Sequence, residues 1–313
     1  MSLAAEYGFD FSEESCEALP FSRYPCRKCL PCLLARQKAW VSRLVEELRN
    51  HEDNYFVTFT YNDENLPSDG NGELCFNKQH LIKLNRDIRK RYQDGRFRNS
   101  LYEQIFGSPE FFDLPKDAKY KYYITSEYGP SESGTHRPHY HAVFYGVQVP
   151  LYTFELLLKS LWPYGFVSVF PAADGAAGYI SKYLVTDGVG KQSYTSDTQM
   201  HPFALMSKGL GLSYVDRMAD WHRQDSRHRM FTQYHGSKGR MDRYLKHKIF
   251  SESDLEIHAE EMISKHFNQV KKYEELKKEH PLIYDRILQE RKKFFLDMEE
   301  SIRWNTLKKH SLK

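Results

Sequence analysis

The chain has 313 residues, of which 40% are hydrophobic and 28% are charged, and its formal net charge is +3. This length and composition suffice for one large domain with appendages or for two domains. The sequence has no apolar run of about 18 residues, the length of a membrane span, and residues 1–10 lack the basic and apolar regions of a secretory signal. We therefore expect a cytoplasmic protein, whose small positive charge permits a nucleic-acid partner without requiring one.

The first third of the chain predicts two helices around one strand. Residues 1–24 are expected to be irregular, and apolar residues at helical spacing predict a helix over 33–49. The β-branched and aromatic run at 54–61 predicts a strand, because such side chains pack well on a pleated surface. A loop over 62–77, which contains proline and glycine, leads into a second helix over 78–92.

The remainder predicts an antiparallel hairpin followed by mixed elements. A strand over 120–128, a turn over 129–138 and a returning strand over 139–147 form this hairpin. The later elements are a helix over 152–162, a strand over 166–170, a helix over 176–184 that Asp174 can cap, a polar loop over 188–196 and a mostly helical region from residue 212 onward. Mixed order and an antiparallel hairpin predict an α+β fold rather than a doubly wound parallel sheet.

A pair of histidines, His139 and His141, lies in the apolar returning strand. Alternation along a strand points both imidazoles to one face. Glu127, near the same end of the hairpin, can add a carboxylate, whereas His136 in the turn is a weaker candidate. Two imidazoles and a carboxylate suit Mg²⁺ or Mn²⁺ and also accept zinc. The alternative is an ordinary histidine pair with a strand-end carboxylate.

Two tyrosines, Tyr179 and Tyr183, lie four residues apart in a predicted helix, so both phenols share one helical face. Lys182 could lower the pKa of a phenol or hold a phosphate. A tyrosine that attacks a metal-polarised phosphate would cut a nucleic-acid strand and remain attached to it. In a chain with 22 tyrosines, an ordinary helix face is the alternative reading.

A cysteine cluster precedes the first long predicted helix. Cys26, Cys29 and Cys32 are spaced by two residues, which lets their thiolates share a zinc ion. A structural zinc needs four ligands, so Cys16 or a histidine would complete the set. Reduced structural thiols are the alternative.

The second predicted helix carries a group of cations. Phosphate contacts of DNA-binding proteins come largely from such side chains, although a solvated helix face explains them equally well. The candidate DNA-contact residues are Arg86, Arg89, Lys90 and Arg91.

Several of these motifs together resemble a known family. Residues 139–141 resemble the His-hydrophobic-His motif of the HUH endonuclease superfamily, and residues 56–60 resemble its first motif. Residues 179–183 resemble the two-tyrosine motif of rolling-circle replication initiators. With the cysteine cluster, the set is similar to the replication initiators of gokushoviruses, small single-stranded DNA phages of the Microviridae. The matching motifs span about residues 25–215.

The resemblance implies an HUH-like central antiparallel sheet with flanking helices. We accordingly divide the chain into an N-terminal segment with the cysteine cluster over 1–50, a nicking domain over 51–215 and a helical, basic C-terminal region over 216–313. By the same resemblance, His139 and His141 hold a divalent metal, with Glu127 as the third ligand.

The implied activity is metal-dependent nicking of one DNA strand. One tyrosine attacks an origin phosphodiester and becomes linked to the 5′ phosphate, and the freed 3′ hydroxyl primes a host polymerase. The second tyrosine cleaves the regenerated origin, after which the single strand is religated into a circle. The implied partners are single-stranded or origin DNA, a host helicase and a host polymerase, in the cytoplasm of the host bacterium.

Three other functions fit parts of the sequence. A relaxase or a transposase of the same superfamily would share the chemistry, although relaxases often carry their tyrosine before the histidines, and here Tyr179 and Tyr183 follow them. A non-catalytic, zinc-stabilised nucleic-acid-binding protein would need only the cysteines. A metal phosphodiesterase would cut without forming a covalent intermediate.

Overall fold

The computed structural model describes most of the chain, and the described residues form two units. The described ranges are 2–11, 29–99, 103–104, 106–116, 118–129, 136–181, 200–234 and 237–310. The sheet unit comprises the described residues within 43–181 and 200–214, and the helical unit comprises those within 2–11, 29–42 and 215–310.

The sheet unit is built on five strands in the order β6-β1-β5-β4-β7, and all neighbouring strands are antiparallel. A separate two-stranded hairpin, β2–β3, belongs to the same unit. The bounds are β1 Tyr55–Thr60, β2 Arg96–Asn99, β3 Glu110–Asp113, β4 Lys121–Tyr128, β5 Pro138–Tyr145, β6 Val167–Pro171 and β7 Ala204–Met206.

Helices lie between these strands and dominate the end of the chain. Their bounds are α1 Leu3–Glu6, α2 Leu30–Arg49, α3 Lys78–Asp94, α4 Leu151–Leu161, α5 Asp174–Ser181, α6 Ser213–Arg223, α7 Arg243–Ile249, α8 Glu252–Glu279 and α9 Pro281–His310, with a 3₁₀ turn at Asp63–Asn65. The termination of α3 illustrates the local chemistry: Gly95 adopts a left-handed conformation (φ 74°) and its N–H bonds the carbonyls of Arg91 and Tyr92.

One face of the five-stranded sheet, which we call the closed face, is the main core. Its strand residues alternate with those of the opposite face and pack beneath α3 and α4, whose leucines are buried. Trp162, directly after α4, is 2% exposed, and its indole N–H donates to the carbonyl of Thr60. The strand residues of the closed face include Val57, Phe59, Tyr140, Ala142, Phe144, Val167 and Val169.

The opposite face, which we call the histidine face, is polar in its centre. Its residues include Thr58, Thr60, Glu127, His139, His141, Ser168 and Phe170. Along the same face, nearer the start of β4, buried Glu47 of α2 accepts from Lys121 at 2.8 Å and from the backbone N–H of Gly211 at 2.7 Å. Helix α2 is thereby fixed against the sheet.

The helical unit is organised around α8 and α9. Helix α8 begins with a capping box formed by Ser251 and Asp254. Phe9 packs on Tyr273 with ring centroids 4.4 Å apart, and Ile287 of α9 is fully buried in the same cluster. Strands β8 (Phe231–Tyr234) and β9 (Ser237–Arg240) form an antiparallel hairpin between α6 and α7.

The predicted α+β fold, with a central antiparallel sheet and a helical C-terminal region, is confirmed. The hairpin β8–β9 interrupts the region predicted to be helical from residue 212, because glycines and a Thr-Gln-Tyr run favour a turn and strands there. Helix α1 lies in a segment predicted to be irregular, where the Ser2 hydroxyl caps it. Helix α5 already begins at Asp174, and the predicted helix end at residue 184 lies outside the described residues.

The hairpin β2–β3 and the three-residue strand β7 were missed by the sequence patterns, because they are too short for a clear alternation. Among the residues that the structure describes, no helix combines the length and the apolar character needed to cross a bilayer. The predicted division of the chain at residues 50 and 215 stays a prediction.

Candidate metal and tyrosine site

The register of the sheet brings the predicted metal ligands to one end of the histidine face. Glu127 of β4 pairs with His139 of β5, and His141 pairs with Thr125 on one side and with Thr58 on the other. Because residues directly opposite in an antiparallel pair point to the same face, the three predicted ligands share one face.

The three side chains converge on one carboxylate oxygen. Oε2 of Glu127 lies 3.2 Å from Nε2 of His139 and 3.1 Å from Nε2 of His141. One ligand atom from each residue lies within 4.8 Å of the others. The side chains of Glu127 and His141 are 5% and 7% exposed, and that of His139 is 19% exposed. Within the described ranges, this is the one group of three or more His, Cys, Asp or Glu residues that could hold a metal ion.

The hydrogen bonds of the two imidazoles orient them as ligands. Nδ1 of His139 lies 3.2 Å from the carbonyl oxygen of Arg137, which can only accept, so Nδ1 donates. Nδ1 of His141 lies 3.1 Å from the hydroxyl of Thr58, which can accept in the same way. A neutral imidazole that donates through Nδ1 turns the lone pair of Nε2 towards Glu127. Metal-ligating histidines are commonly fixed in this manner by their second nitrogen.

The carboxylate is anionic in this setting. Burial raises the pKa of Glu127, but hydrogen bonds and charge interactions with His139 and His141 outweigh burial and hold that pKa well below its usual range. An anionic oxygen that faces two nitrogen lone pairs is stabilised by a cation shared among them. The donor set therefore fits a divalent metal with mixed nitrogen and oxygen ligands.

Helix α5 brings Tyr179 to this group. The phenolic oxygen lies 3.4 Å from Nε2 of His141, the nitrogen that faces Glu127. The Tyr179 ring meets the imidazole of His141 edge to face at 5.2 Å and the ring of Phe56 at 5.6 Å. Phe56 in turn stacks on His141, with centroids 5.5 Å apart. The phenol is thus held beside the predicted metal ligands by packing as well as by polar contact.

Several predicted site residues lie outside the described residues, among them Lys182, Tyr183, Cys16 and Cys26. Their roles stay predictions. Cys29 is half-buried immediately before α2, and Cys32 is buried in the first turn of that helix.

Other candidates lie away from the metal group. The exposed cations Arg86, Arg89, Lys90 and Arg91 are on α3, which packs against the closed face, so the structure does not bring them to the histidines. Their contact with DNA stays a prediction. His136 stacks on Tyr128 at 4.9 Å, and Tyr128 belongs to the closed-face core, so His136 does not join the metal group.

The contacts that Thr58 and Phe56 make with His141 had not been predicted. Alternation within residues 55–60 assigns both residues to one face of β1. Only the pairing of β1 with β5 brings that face beside the histidines.

Comparisons with known proteins agree with this site. Residues 54–188 match the family of the phage replication-associated protein ORF2. The chain is 29% identical over 206 residues to the replication-associated protein ORF2 of Spiroplasma virus 4, covering 61% of this chain and 56% of that protein. It is 28% identical over 243 residues to the replication-associated protein VP4 of Bdellovibrio phage phiMH2K, covering 71% and 65% respectively.

A third relative is the replication-associated protein ORF4 of Chlamydia phage 1, which is 25% identical over 209 residues, covering 61% of this chain and 45% of that protein. The chain thus spans about half to two thirds of the length of the curated relatives it matches. No solved structure matches it. Residues 54–188, which contain the histidine pair and Tyr179, belong to the replication-associated protein ORF2 family, and the predicted relationship to the replication initiators of the Microviridae is confirmed.

Proposed function

We propose that the protein initiates rolling-circle replication as an HUH endonuclease, by nicking one strand of origin DNA with a tyrosine nucleophile. The observation that carries the proposal is the phenolic oxygen of Tyr179, 3.4 Å from Nε2 of His141, which is itself 3.1 Å from the carboxylate of Glu127. A nucleophile beside a metal-binding group is the arrangement that phosphoryl transfer requires.

The residues of the metal group have separate tasks. Glu127, His139 and His141 would hold Mg²⁺ or Mn²⁺, which when bound supplies Lewis-acid polarisation of a non-bridging phosphate oxygen. The carbonyl of Arg137 and the hydroxyl of Thr58 keep the two imidazoles in the tautomer that presents Nε2. Glu127 supplies the negative charge that makes the group attractive to a cation.

The nicking step forms one phosphorus–oxygen bond and breaks another. The phenolic oxygen of Tyr179 bonds to the scissile phosphorus as its proton passes to water. The bond from phosphorus to the 3′ oxygen breaks, and that oxygen takes up a proton to become the free 3′ hydroxyl. The phosphotyrosine conserves the bond energy, so attack by a 3′ hydroxyl can reseal the strand without ATP.

Tyr183 is the proposed second nucleophile, because its spacing of four residues from Tyr179 assigns both phenols to one helical face. Lys182 is the cation proposed to lower the pKa of a phenol or to hold the phosphate. The cysteines Cys16, Cys26, Cys29 and Cys32 remain the proposed ligands of a structural zinc.

The proposed partners follow from this chemistry. The substrate is single-stranded or melted origin DNA, a host polymerase extends the free 3′ hydroxyl, and a host helicase separates the strands. Because the matched relatives are named as replication-associated proteins of two phages and a spiroplasma virus, we propose the cytoplasm of the host bacterium as the site of action.

A covalent adduct tests the proposal. The protein is incubated with end-labelled single-stranded origin DNA and Mn²⁺, and a denaturing gel separates free from protein-linked DNA. The variants are Tyr179→Phe, Tyr183→Phe and the double variant, and Tyr152→Phe is the matched control, since Tyr152 is exposed on α4 beside the closed face. We expect a metal-dependent adduct that only the double variant abolishes.

Each other outcome identifies a different function. Cleavage without an adduct would indicate a metal phosphodiesterase. An adduct that depends on a single tyrosine and transfers its strand to a second DNA would indicate a transposase or a relaxase. Absence of cleavage and adduct on DNA that contains the true origin would contradict the proposal and favour a non-catalytic DNA-binding protein.

A further inference from the structure

Two exposed phenylalanines lie at the edge of the sheet, on the histidine face. Phe166 is 71% exposed and Phe170 is 59% exposed. Ser168 between them is also exposed, whereas Val167 and Val169 are buried in the closed-face core. This alternation assigns both rings to the face that carries the metal group.

The register links Phe166 directly to that group. Phe166 and Thr60 exchange two backbone hydrogen bonds, of 3.2 Å and 2.9 Å, so they lie opposite each other. Thr60 pairs with His139, and His139 pairs with Glu127. Phe166 therefore ends a row of four residues across the histidine face, two strands from His139, or about 10 Å away at about 4.8 Å per strand.

A second row links Phe170 to the tyrosine. Phe170 pairs with Phe56 across β6 and β1. Phe56 contacts both the imidazole of His141 and the ring of Tyr179. The two phenylalanine rows therefore lie on either side of the row that contains Ser168, Thr58 and His141.

The backbone fixes Phe166 in this register. A side chain at Gly165 would put its Cβ 2.4 Å from the carbonyl oxygen of Thr60 and 2.6 Å from the backbone nitrogen of Asn62. Only glycine allows so close an approach to β1. The local chain is thus constrained although the Phe166 ring itself is 71% exposed.

An exposed ring on an edge strand carries an aggregation risk that sequences usually avoid with charge or proline. The two rings are four residues apart, about 13 Å along the strand, and the hydroxyl of Ser168 lies between them. They do not form the contiguous apolar patch that a protein partner or a second copy would bury. Isolated, open aromatic faces are instead suited to stacking on unpaired bases.

We infer that Phe166 and Phe170 stack on bases of single-stranded DNA that flank the phosphate to be cleaved. This inference rests on the proposed function, since it assumes DNA in the site. Base stacking is tolerant of sequence and needs no metal. The rings would therefore contribute to DNA affinity and to the position of the strand, while the metal group and the tyrosines carry out the cleavage.

Binding without metal tests this inference separately from cleavage. Fluorescence anisotropy in EDTA measures the Kd for a labelled oligothymidylate and for an abasic deoxyribose-phosphate oligomer of equal length. The variants are Phe166→Ala with Phe170→Ala, the double tryptophan replacement, and Tyr152→Ala as the control, an equally exposed ring on α4 beside the closed face. Thermal unfolding checks that each variant is folded.

We expect the double alanine variant to raise the Kd for oligothymidylate at least about tenfold, because each stacked base contributes substantially to affinity. We expect the tryptophan variant and Tyr152→Ala to bind as the wild type does, and the abasic oligomer to bind the wild type and the alanine variant equally. An unchanged Kd for oligothymidylate would overturn the inference. So would an equal loss on both oligomers, or a loss of self-association without a loss of DNA binding.

The two proposals fail in distinguishable ways. If affinity depends on the rings but no covalent adduct forms with origin DNA, base stacking stands and the nicking proposal fails. If the adduct forms but metal-free binding is indifferent to the rings, nicking stands and base stacking fails.

Discussion

The two faces of the five-stranded sheet are made by alternate residues of the same strands, yet they differ in every chemical respect. In β5, Tyr140 and Ala142 are fully buried in an apolar core, while the neighbouring His139 and His141 face a carboxylate. The closed face supplies apolar burial, which is the main source of stability. The histidine face exposes threonine, serine and aromatic side chains around an ionisable group. Stability and chemistry should therefore respond to different substitutions, even at adjacent positions.

Removal of the imidazoles should have the largest effect on the histidine face. His139→Gln with His141→Gln keeps polar side chains of similar size but removes two metal ligands. We expect covalent adduct formation to fall at least about a hundredfold, since even partners of metal ligands matter by about 10- to 100-fold. Denaturing gels measure the adduct, and titration calorimetry with Mn²⁺ measures binding.

The matched control is His136→Gln, in the same hairpin but stacked on Tyr128 of the closed-face core. Metal binding and adduct formation should persist in this variant. Addition of EDTA to the wild type should reproduce the double variant. Normal Mn²⁺ affinity in the double variant would show that these histidines are structural.

The closed face should respond in stability. Phe59 is fully buried and packs on Trp162 with ring centroids 5.0 Å apart. Phe59→Ala leaves a cavity, so we expect the free energy of unfolding to fall by about 3–5 kcal/mol. Urea denaturation measures the change. Thr60→Ala, the next residue but on the histidine face, should change it by no more than about 1 kcal/mol; equal losses would contradict the division between the two faces.

A subtler change should weaken the metal group without unfolding the sheet. Thr58→Val removes the hydroxyl 3.1 Å from Nδ1 of His141 but keeps the shape of the side chain. The imidazole then loses the partner that fixes its tautomer, so we expect the Mn²⁺ affinity to fall by about 10- to 100-fold. Thr60→Val is the control, because its hydroxyl contacts a backbone carbonyl instead. Equal affinities in the two variants would argue against a positioning role for Thr58.

The sequence predicted the local elements of this arrangement better than their assembly. Period-two alternation was enough to predict β1 and the β4–β5 hairpin, and the hairpin with its turn was enough to predict that Glu127 and His139 lie close. The contact of Thr58 with His141 joins residues 83 positions apart, and no local pattern encodes such a pairing. The exposed rings of Phe166 and Phe170 were likewise hidden, because apolar strand residues normally predict burial and only the edge position of β6 leaves them open.

The smallest expected effect is a pH dependence of the closed face. His80 stacks on Tyr164 with ring centroids 3.7 Å apart, and its Nδ1 lies 3.0 Å from the hydroxyl of Tyr61. Burial, assisted by the positive charge of Lys83, lowers the pKa of His80. The folded state therefore binds a proton less readily than the unfolded state, so this contribution to stability is complete above the unfolded pKa of about 6.5. It is lost as the pH falls from there through the folded pKa.

Urea midpoints at several pH values below 7 should separate this contribution from the titration of other groups. We expect the wild type to lose slightly more stability on acidification than His80→Gln, which cannot take up a proton at this position. The ring stack on Tyr164 is weakened in the variant at every pH, so only the slope against pH is diagnostic. Parallel slopes would show that His80 binds protons equally in both states, and the closed face would then be insensitive to acid at this position.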